Sequence, residues 1–287
     1  MIPAPFDYVR AGSVDEAVEA LKEHGDEAKL LAGGHSLLPL MKLRLAAPEV
    51  LVDLGRVGEL RGVRDGGDHL VIGAMTTHDA VIRDPLVQEH CGVLSDVTKV
   101  VGDAQVRHRG TIGGAVAHGD AAGDLPTAML ALEATVVVQG PAGRREIAAA
   151  ELFVDYLETA VGEDEVLVEV HVPKLTGDWR WSYEKFSRVA QAWAIVGSLA
   201  LVKRSDGTID EARVALTHMG NVPVRASATE SALAGASPDA IGDAAEHAAE
   251  GTSPPSDLNA SPEYRSHLAR VLTGRALRTA AAPAGGA

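Results

Sequence analysis

The chain has 287 residues, of which 46% are hydrophobic, with a formal net charge of −14 and a single cysteine. This length predicts two or three subdomains, and the acidic balance excludes a nucleic-acid partner, because binding one requires a basic surface. One cysteine excludes an internal disulfide and an iron–sulfur cluster held by cysteines alone. No apolar run is long enough for a transmembrane helix, and the first residues lack the pattern of a signal peptide. We therefore expect a cytoplasmic protein, either free or peripheral at the inner face of the membrane.

The first part of the chain predicts a small α/β unit. A capping-box pattern at Ser13 begins a helix, and residues 28–31 and 50–54 are apolar runs typical of buried strands. Between these strands lie residues 32–45, AGGHSLLPLMKLRL, in which two consecutive glycines end the first strand. Such a turn leaves backbone N–H groups unpaired and allows a ligand to approach the main chain, and Ser36 is placed to cap the segment that follows.

A second Gly-Gly loop lies far downstream, in the sequence GTIGGAVAH of residues 110–118. Four basic side chains precede it: Lys99, Arg107, His108 and Arg109. In a protein with net charge −14, this group of cations beside a glycine loop indicates an anionic ligand. Either loop alone is equally consistent with an ordinary strand-to-helix turn. Together they predict a site for one elongated ligand that carries phosphates.

The two loops, AGGHS at 32–36 and TIGG at 111–114, resemble the FAD-binding signature of the medium, flavoprotein subunit of molybdenum hydroxylases. The longer stretch AGGHSLLPLMKLRLA is most similar to the carbon monoxide dehydrogenase branch of that family. The resemblance covers nearly the whole chain and implies an α+β fold. A two-subdomain FAD-binding domain of the PCMH type, related to vanillyl-alcohol oxidase, is expected before a three-stranded antiparallel sheet with a helical cover.

The implied boundaries place the FAD-binding domain at residues 1–177, with subdomains of about 1–56 and 57–177, and the C-terminal domain at 178–287, with a flexible tail from about 280. The sequence pattern supplies matching elements in both domains. In the second subdomain these are strands at 69–74 and 165–172, helices at 85–101 and 124–132, and a hairpin over 134–148. In the C-terminal domain they are strands at 181–188, 193–203 and 208–218, followed by helices from residue 226.

The resemblance implies FAD contacts at both loops and at four later positions, without a catalytic residue or a metal ligand in this chain. The loop positions are Ala32, Gly33, Gly34, His35, Ser36, Thr111, Ile112, Gly113, Gly114 and Ala115. The later positions are Asp124, Leu167, Lys185 and Trp193. Ala115 stands where the xanthine-type branch has asparagine, which leaves only its backbone N–H as a contact. No group of histidines has the spacing of metal ligands.

Each later position also has a purely structural interpretation. Asp124 is a possible N-cap for the helix that follows, and Leu167 a strand interior. Lys185 is a possible exposed lysine on an antiparallel strand. Trp193, where the family branch has a tyrosine over the flavin ring, is a possible core residue. Seven of the ten aromatic residues lie between residues 153 and 193, and those on one strand face predict a core or an inter-domain contact.

The implied function is electron transfer within a complex. The flavoprotein accepts electrons from an iron–sulfur small subunit and passes them to a final acceptor such as a quinone. The molybdenum cofactor and the [2Fe–2S] clusters belong to partner subunits, and the expected assembly is a dimer of heterotrimers. The alternatives are a stand-alone flavin oxidase of the vanillyl-alcohol type, a medium subunit of a xanthine or N-heterocycle dehydrogenase, and a non-catalytic anion-binding subunit. Because the molybdenum site lies in another chain, CO, a purine and an N-heterocycle all remain open as substrates.

Overall fold

The computed structural model of the protein describes residues 2–282, which form three units built on separate β-sheets. The elements of the first unit are β1 (Asp7–Arg10), α1 (Val14–His24), β2 (Ala28–Leu31), α2 (Leu37–Leu43) and β3 (Val50–Asp53). Its sheet is parallel, with β3 between β1 and β2. The predicted cap of α1 is confirmed, since Ser13 Oγ accepts the N–H of Glu16 at 3.2 Å.

The second unit contains a five-stranded antiparallel sheet and a short two-stranded one. Its strands are β4 (Val63–Asp65), β5 (His69–Gly73), β6 (Thr135–Gly140), β7 (Gly143–Ala148), β8 (Phe153–Asp155), β9 (Glu158–Thr159) and β10 (Val166–Pro173). The larger sheet has the order β4-β5-β10-β6-β7, and β8 pairs with β9. Helices connect β5 to β6 and β7 to β8: α3 (His78–Arg83), α4 (Pro85–His90), α5 (Gly92–Lys99), α6 (Ala104–Arg109), α7 (Ile112–His118), α8 (Asp124–Ala131) and α9 (Ala149–Leu152).

The third unit is an antiparallel sheet covered by helices. Its elements are β11 (Trp179–Phe186), β12 (Val196–Ser205), β13 (Thr208–Thr217), β14 (Val224–Arg225), α10 (Ser227–Leu233), α11 (Ile241–Glu246) and α12 (Pro262–Ala281). The strands follow one another in the sheet in chain order, so the two-residue β14 adds a fourth strand to the three predicted. Four short 3-10 turns complete the described chain: Gly25–Glu27, Gly58–Leu60, Pro238–Ala240 and His247–Ala249.

Strand β12 is buried on both faces and joins the second unit to the third. Because side chains alternate across a strand, Leu199 and Leu201 face the core of the second unit, which includes helices α5 and α8. Ala200 and Val202 point the other way, into a separate core that includes α12. Three aromatic residues of β11, Trp179, Trp181 and Tyr183, pack beside the first of these cores, which identifies their face as an inter-domain contact.

Two of the expected elements differ from the structure. The helix predicted over 85–101 is two helices, because the backbone turns at Cys91, with φ −152° and ψ 54°. The break lets Gly92 lie against the indole of Trp181, where an added Cβ would come within 2.9 Å of Cζ2. The strand predicted from residue 193 begins at Val196. The expected flexible tail largely concerns residues 283–287, which lie outside the described residues, and Ala280 still belongs to α12.

Within the described part of the chain, none of the helices combines the length and the apolar character that crossing a bilayer requires.

Candidate functional site

The first glycine loop, residues 32–36, connects β2 to α2 and offers main-chain donors. Within the described chain, the N–H groups of these five residues have no hydrogen-bond acceptor. Gly34 has a φ of +75°, a backbone conformation that glycine adopts without strain. The His35 ring donates from Nδ1 to the carbonyl of Gly33 at 3.0 Å. The expectation that Ser36 caps α2 is wrong, because its side chain makes no capping hydrogen bond.

The second glycine loop is the start of α7, and most of its N–H groups are already paired. The exception is the N–H of Thr111, which has no acceptor within residues 2–282. Thr111 caps the helix, with its Oγ1 accepting the N–H of Gly114 at 3.2 Å. The N–H groups of Ile112 and Gly113 donate to carbonyls just before α3, at 3.0 and 2.9 Å, and that of Ala115 donates to Thr111 O at 3.0 Å. Unpaired N–H groups are therefore concentrated in the first loop, because the second one continues directly into a capped helix.

The two loops pack directly on each other. A Cβ at Gly33 would overlap the carbonyl oxygen of Arg109 and lie 2.8 Å from the Cα of Gly110. A Cβ at Gly114 would lie 3.5 Å from the Cβ of Ala32. The structure therefore brings together the two motifs that are nearly 80 residues apart in sequence, as the sequence analysis anticipates.

The basic residues before the second loop fall into two groups. Lys99 and Arg107 are already engaged: Lys99 pairs with Asp96 at 2.8 Å, and Arg107 donates to the carbonyls of the turn before α6 at 3.0 and 3.2 Å. His108 and Arg109 are exposed at the end of α6, immediately before the loop. These two are the members of the group that remain accessible to an anion.

A buried ion pair joins the second unit to the third. Lys185, on β11, places Nζ 2.8 Å from Asp124 Oδ2 and 3.1 Å from the carbonyl of Val100. The side chains of Lys185 and Asp124 are only 8% and 4% exposed. Two structural interpretations are therefore wrong. Lys185 is not an exposed strand lysine, and Asp124 is the first residue of α8, whose N-cap is Gly123.

The Asp124 carboxyl is also bonded to Tyr183, the second strand residue that reaches it. Tyr183 donates from its hydroxyl to Asp124 Oδ1 at 2.7 Å and lies 3.1 Å from Thr217 Oγ1. Burial raises the pKa of Asp124, and the neighbouring Lys185 and Tyr183 partly offset this effect. Tyr183 and Thr217 were not among the candidate residues. Their pairing depends on the register of β11 with β12 and of β12 with β13, which a single sequence does not reveal.

The remaining two candidates lie in different surroundings. Leu167 is 5% exposed, on β10 next to an irregularity in its pairing with β6. Trp193 is 56% exposed and lies just before β12, so its interpretation as a core residue is wrong.

His78 is a buried polar residue beside the loops that the sequence analysis did not single out. It is 3% exposed, its N–H donates to Gly110 O at 2.9 Å, and its Nδ1 has no hydrogen-bond partner in the described chain. Burial lowers its pKa to about 4, and the nearby His35 and Arg107 contribute in the same direction. The only signal in the sequence is its position after Thr77, which caps α3.

These features fit a phosphate-bearing redox cofactor better than direct chemistry by side chains. Free main-chain donors suit a diphosphate, and a buried cation and an exposed indole suit a flat, electron-accepting ring. Across residues 2–282, no three His, Cys, Asp or Glu side chains converge in a way that could hold a metal ion.

Comparison with known proteins assigns the family. Residues 4–175 match the FAD binding domain in molybdopterin dehydrogenase, and residues 181–280 match the CO dehydrogenase flavoprotein C-terminal domain. The carbon monoxide dehydrogenase medium chain of Hydrogenophaga pseudoflava is 42% identical over 282 residues, 98% of each chain. The 6-hydroxypseudooxynicotine dehydrogenase complex subunit alpha of Paenarthrobacter nicotinovorans is 35% identical and covers 98% of this chain and 96% of its own.

The solved structure of carbon monoxide dehydrogenase from H. pseudoflava superposes with a TM-score of 0.95 at 43% identity, over 98% of both chains. The predicted fold class, family and FAD cofactor are thereby confirmed. The chain belongs to the FAD-binding medium subunits of molybdenum-containing dehydrogenases and is of the carbon monoxide dehydrogenase type.

Proposed function

We propose that this chain binds FAD between its two glycine loops and the Asp124–Lys185 pair, and that it serves as the electron-transfer subunit of a CO-oxidising complex. The observation that carries the proposal is the packing of the two loops, Gly33 against Gly110, beside a row of free main-chain donors. When bound, FAD supplies the capacity to accept electrons singly and to release them in pairs.

Different residues of this chain would contact different parts of FAD. Residues 32–36, whose N–H groups have no acceptor within the described chain, would hold the diphosphate, and residues 111–115 would form the other side of the cradle. Leu167 offers an apolar surface to the ring system, and Trp193 an aromatic face. Lys185 supplies a positive charge that stabilises added electron density, and Asp124 holds its ammonium group in place.

We further propose the division of the chain and its setting in the complex. Residues 1–177 form the FAD-binding domain, with subdomains of about 1–56 and 57–177, and residues 178–287 form the C-terminal domain. A small subunit with two [2Fe–2S] clusters and a large subunit with the molybdenum cofactor complete a heterotrimer, which pairs into a dimer. A quinone accepts the electrons, and the complex works in the cytoplasm or at the inner face of the membrane.

The first test is the absorption spectrum of the purified full chain. We expect a flavin spectrum and release of FAD on denaturation. A colourless protein that does not take up added FAD would contradict the proposal and support a non-redox anion-binding subunit. The chain alone should oxidise neither CO nor purines, since no molybdenum is expected in it. Turnover by the isolated, metal-free chain would instead support a stand-alone flavin oxidase.

A second test concerns the placement of the flavin ring. In Trp193→Ala, flavin fluorescence should rise because the indole no longer quenches it, and FAD should bind more weakly by about 1 kcal/mol. Trp179→Ala is the matched control, since that indole lies under Arg213, with the guanidinium carbon 4.9 Å from the ring centroid. Unchanged fluorescence in Trp193→Ala would remove this residue from the flavin site.

One relative favours a second substrate class. A 35% identical protein is named as a subunit of 6-hydroxypseudooxynicotine dehydrogenase, so an N-heterocyclic compound is the alternative substrate of the complex. The assembled complex discriminates between the two: reduction of its flavin by CO supports the first proposal, and reduction by an N-heterocycle alone supports the second.

A further inference from the structure

The most deeply buried cation of the third unit lies in the first turn of α12. Arg265 is completely buried, and its Nη1 donates to the carbonyl oxygen of Ile195. Its Nη2 lies 2.8 Å from Asp257 Oδ2, an ion pair rather than a well-aligned hydrogen bond. Asp257 is itself 34% exposed, so the guanidinium is held inside the protein by a carboxylate at the surface.

His218 extends this contact to two other segments. Its ring Nδ1 lies 2.9 Å from Ala194 O and 3.1 Å from Arg265 Nη1. Since a carbonyl oxygen only accepts, Nδ1 carries the proton and donates it to Ala194. The backbone of His218 is left-handed, with a φ of +62°, and its N–H donates to Ala121 O at 2.8 Å.

These contacts hold two chain segments that border the proposed flavin site, the one after Trp193 and the one before Asp124. The carbonyls of Ala194 and Ile195, held by His218 and Arg265, directly follow Trp193 in the chain. The N–H of Ile195 also donates to Phe186 O at 2.8 Å, next to Lys185. On the opposite side, Ala121 O lies three residues before Asp124. One partly buried group of contacts therefore connects the segment of Trp193 to the segment of Asp124.

Burying the charged guanidinium of Arg265 is energetically unfavourable. Removing a guanidinium from water costs several kcal/mol, and apolar residues of similar volume often pack there with equal or greater stability. What an apolar side chain does not supply is the directed hydrogen bond from Arg265 to the carbonyl of Ile195, next to the one from His218 to Ala194. The energetic cost therefore indicates a requirement for position rather than for stability.

We propose that Arg265 and His218 are positioning residues that hold Trp193 against the flavin ring, by fixing the carbonyls of Ala194 and Ile195 relative to the Asp124 segment. The inference rests on the proposed function, because it requires FAD in the site and Trp193 beside its ring. It adds two residues, neither of which touches the cofactor, to those that determine the surroundings of the ring.

The test uses the full chain loaded with FAD and measures flavin fluorescence and reduction potential. Arg265→Met removes the hydrogen bond to Ile195 O and the ion pair with Asp257, and Arg265→Lys keeps one donor for Ile195 O. His218→Asn removes the imidazole but tolerates the left-handed backbone. Arg270→Met is the control, since Arg270 lies on the same helix, is 41% exposed and approaches Glu246 only to 3.9 Å.

We expect Arg265→Met and His218→Asn to retain FAD, since the loops are unchanged. Their flavin fluorescence should rise by most of the increase seen in Trp193→Ala. Their reduction potential should shift, with partial rescue in Arg265→Lys and wild-type values in Arg270→Met. In a Trp193→Ala background, Arg265→Met should have no further effect on fluorescence, because both act through one contact.

Flavin fluorescence and a reduction potential equal to those of the wild type in folded His218→Asn would overturn the inference. If Arg265→Met does not fold, the result for His218→Asn alone is the test. An additive effect of Arg265→Met on top of Trp193→Ala would also overturn it. A failure of the proposed function is recognised separately: either the wild type binds no FAD, or Trp193→Ala alone leaves flavin fluorescence unchanged.

Discussion

The ion pair of Asp124 and Lys185 is the clearest case in which one residue depends on another far away in sequence. Its two side chains are almost fully buried, with Nζ and Oδ2 2.8 Å apart. Breaking a buried pair is costly, because the remaining charge loses its partner without regaining water. The pair therefore stabilises the contact between the second and third units in addition to its proposed role at the flavin.

Lys185→Met should destabilise the protein by about 3 kcal/mol, since Asp124 is left buried without a cation. Urea unfolding of the FAD-free protein measures this loss separately from cofactor binding. Lys99→Met is a matched control, because Lys99 pairs with Asp96 at the same 2.8 Å but is 54% exposed. The control should lose less than about 1 kcal/mol, and equal losses in the two variants would contradict the argument.

His78 makes stability depend on pH in a defined window. Burial lowers its folded-state pKa from 6.5 to about 4, so the unfolded chain binds a proton more readily. The contribution of His78 is therefore complete above pH 6.5 and is lost as the pH falls from 6.5 toward 4. The lost stability is on the order of 3 kcal/mol.

Urea unfolding at a series of pH values tests this expectation. Over the window from pH 6.5 to about 4, His78→Gln should lose stability less steeply than the wild type. His247→Gln is the control, since His247 is 47% exposed and pairs with Glu250, and it should follow the wild-type curve. Identical slopes for His78→Gln and the wild type would show that the buried imidazole does not cause the pH dependence.

At the scale of elements, the glycines of the two loops allow neighbouring chain segments to pack closely. A Cβ at Gly113 would lie 2.7 Å from the Cα of Ala74, and one at Gly33 would meet the backbone of Arg109. Such a Cβ would force the segments apart, so any effect on FAD comes through the geometry of the cradle.

Gly33→Val and Gly113→Val should therefore abolish retention of FAD, because each side chain displaces one loop from its neighbour. The measurement is the ratio of flavin to protein after gel filtration. Gly58→Ala is the control, since a Cβ there meets nothing within 4 Å, and it should remain fully loaded. A fully loaded Gly113→Val protein would contradict the assignment of this loop.

The elements that the sequence predicted well are those with a local signal. The cap at Ser13, the strand before the first loop and the hairpin of β12 and β13 follow from capping chemistry, apolar runs and turn residues. Strand β1 was missed because it is mostly exposed and shows no alternation, so only its pairing with β3 defines it. The break at Cys91 was missed because the contact that accompanies it, between Gly92 and the indole of Trp181, joins residues that are distant in sequence.

The site was predictable to a similar extent. The two loops carry recognisable motifs, and their contact was anticipated. The partners of Asp124 were not, since Lys185 and Tyr183 reach it only after β11 has paired with β12. The contacts of His218 and Arg265 had no signal at all, because each is an isolated polar residue in its stretch of sequence.

For the molecule as a whole, the shared core implies that the second and third units unfold together. Leu199 and Leu201 of the third unit are completely buried in the core of the second. Leu199→Ala should therefore lower the free energy of unfolding by about 2–5 kcal/mol, as for other buried leucines, and shift the unfolding midpoint of the whole chain downward. Fluorescence of the tryptophans and circular dichroism of the helices should report one common transition, and two separate transitions would contradict a shared core.

The two buried faces of β12 also have a consequence for the gene. Adjacent codons in this strand are constrained by different partners, since residues 199 and 201 contact the core of the second unit while residues 200 and 202 contact that of α12. When relatives are compared, substitutions at 199 and 201 should be accompanied by changes around α8, and those at 200 and 202 by changes in α12. A recombination that exchanges the C-terminal domain between two lineages would preserve the second set of contacts and break the first. Such exchanges should therefore survive only between close relatives.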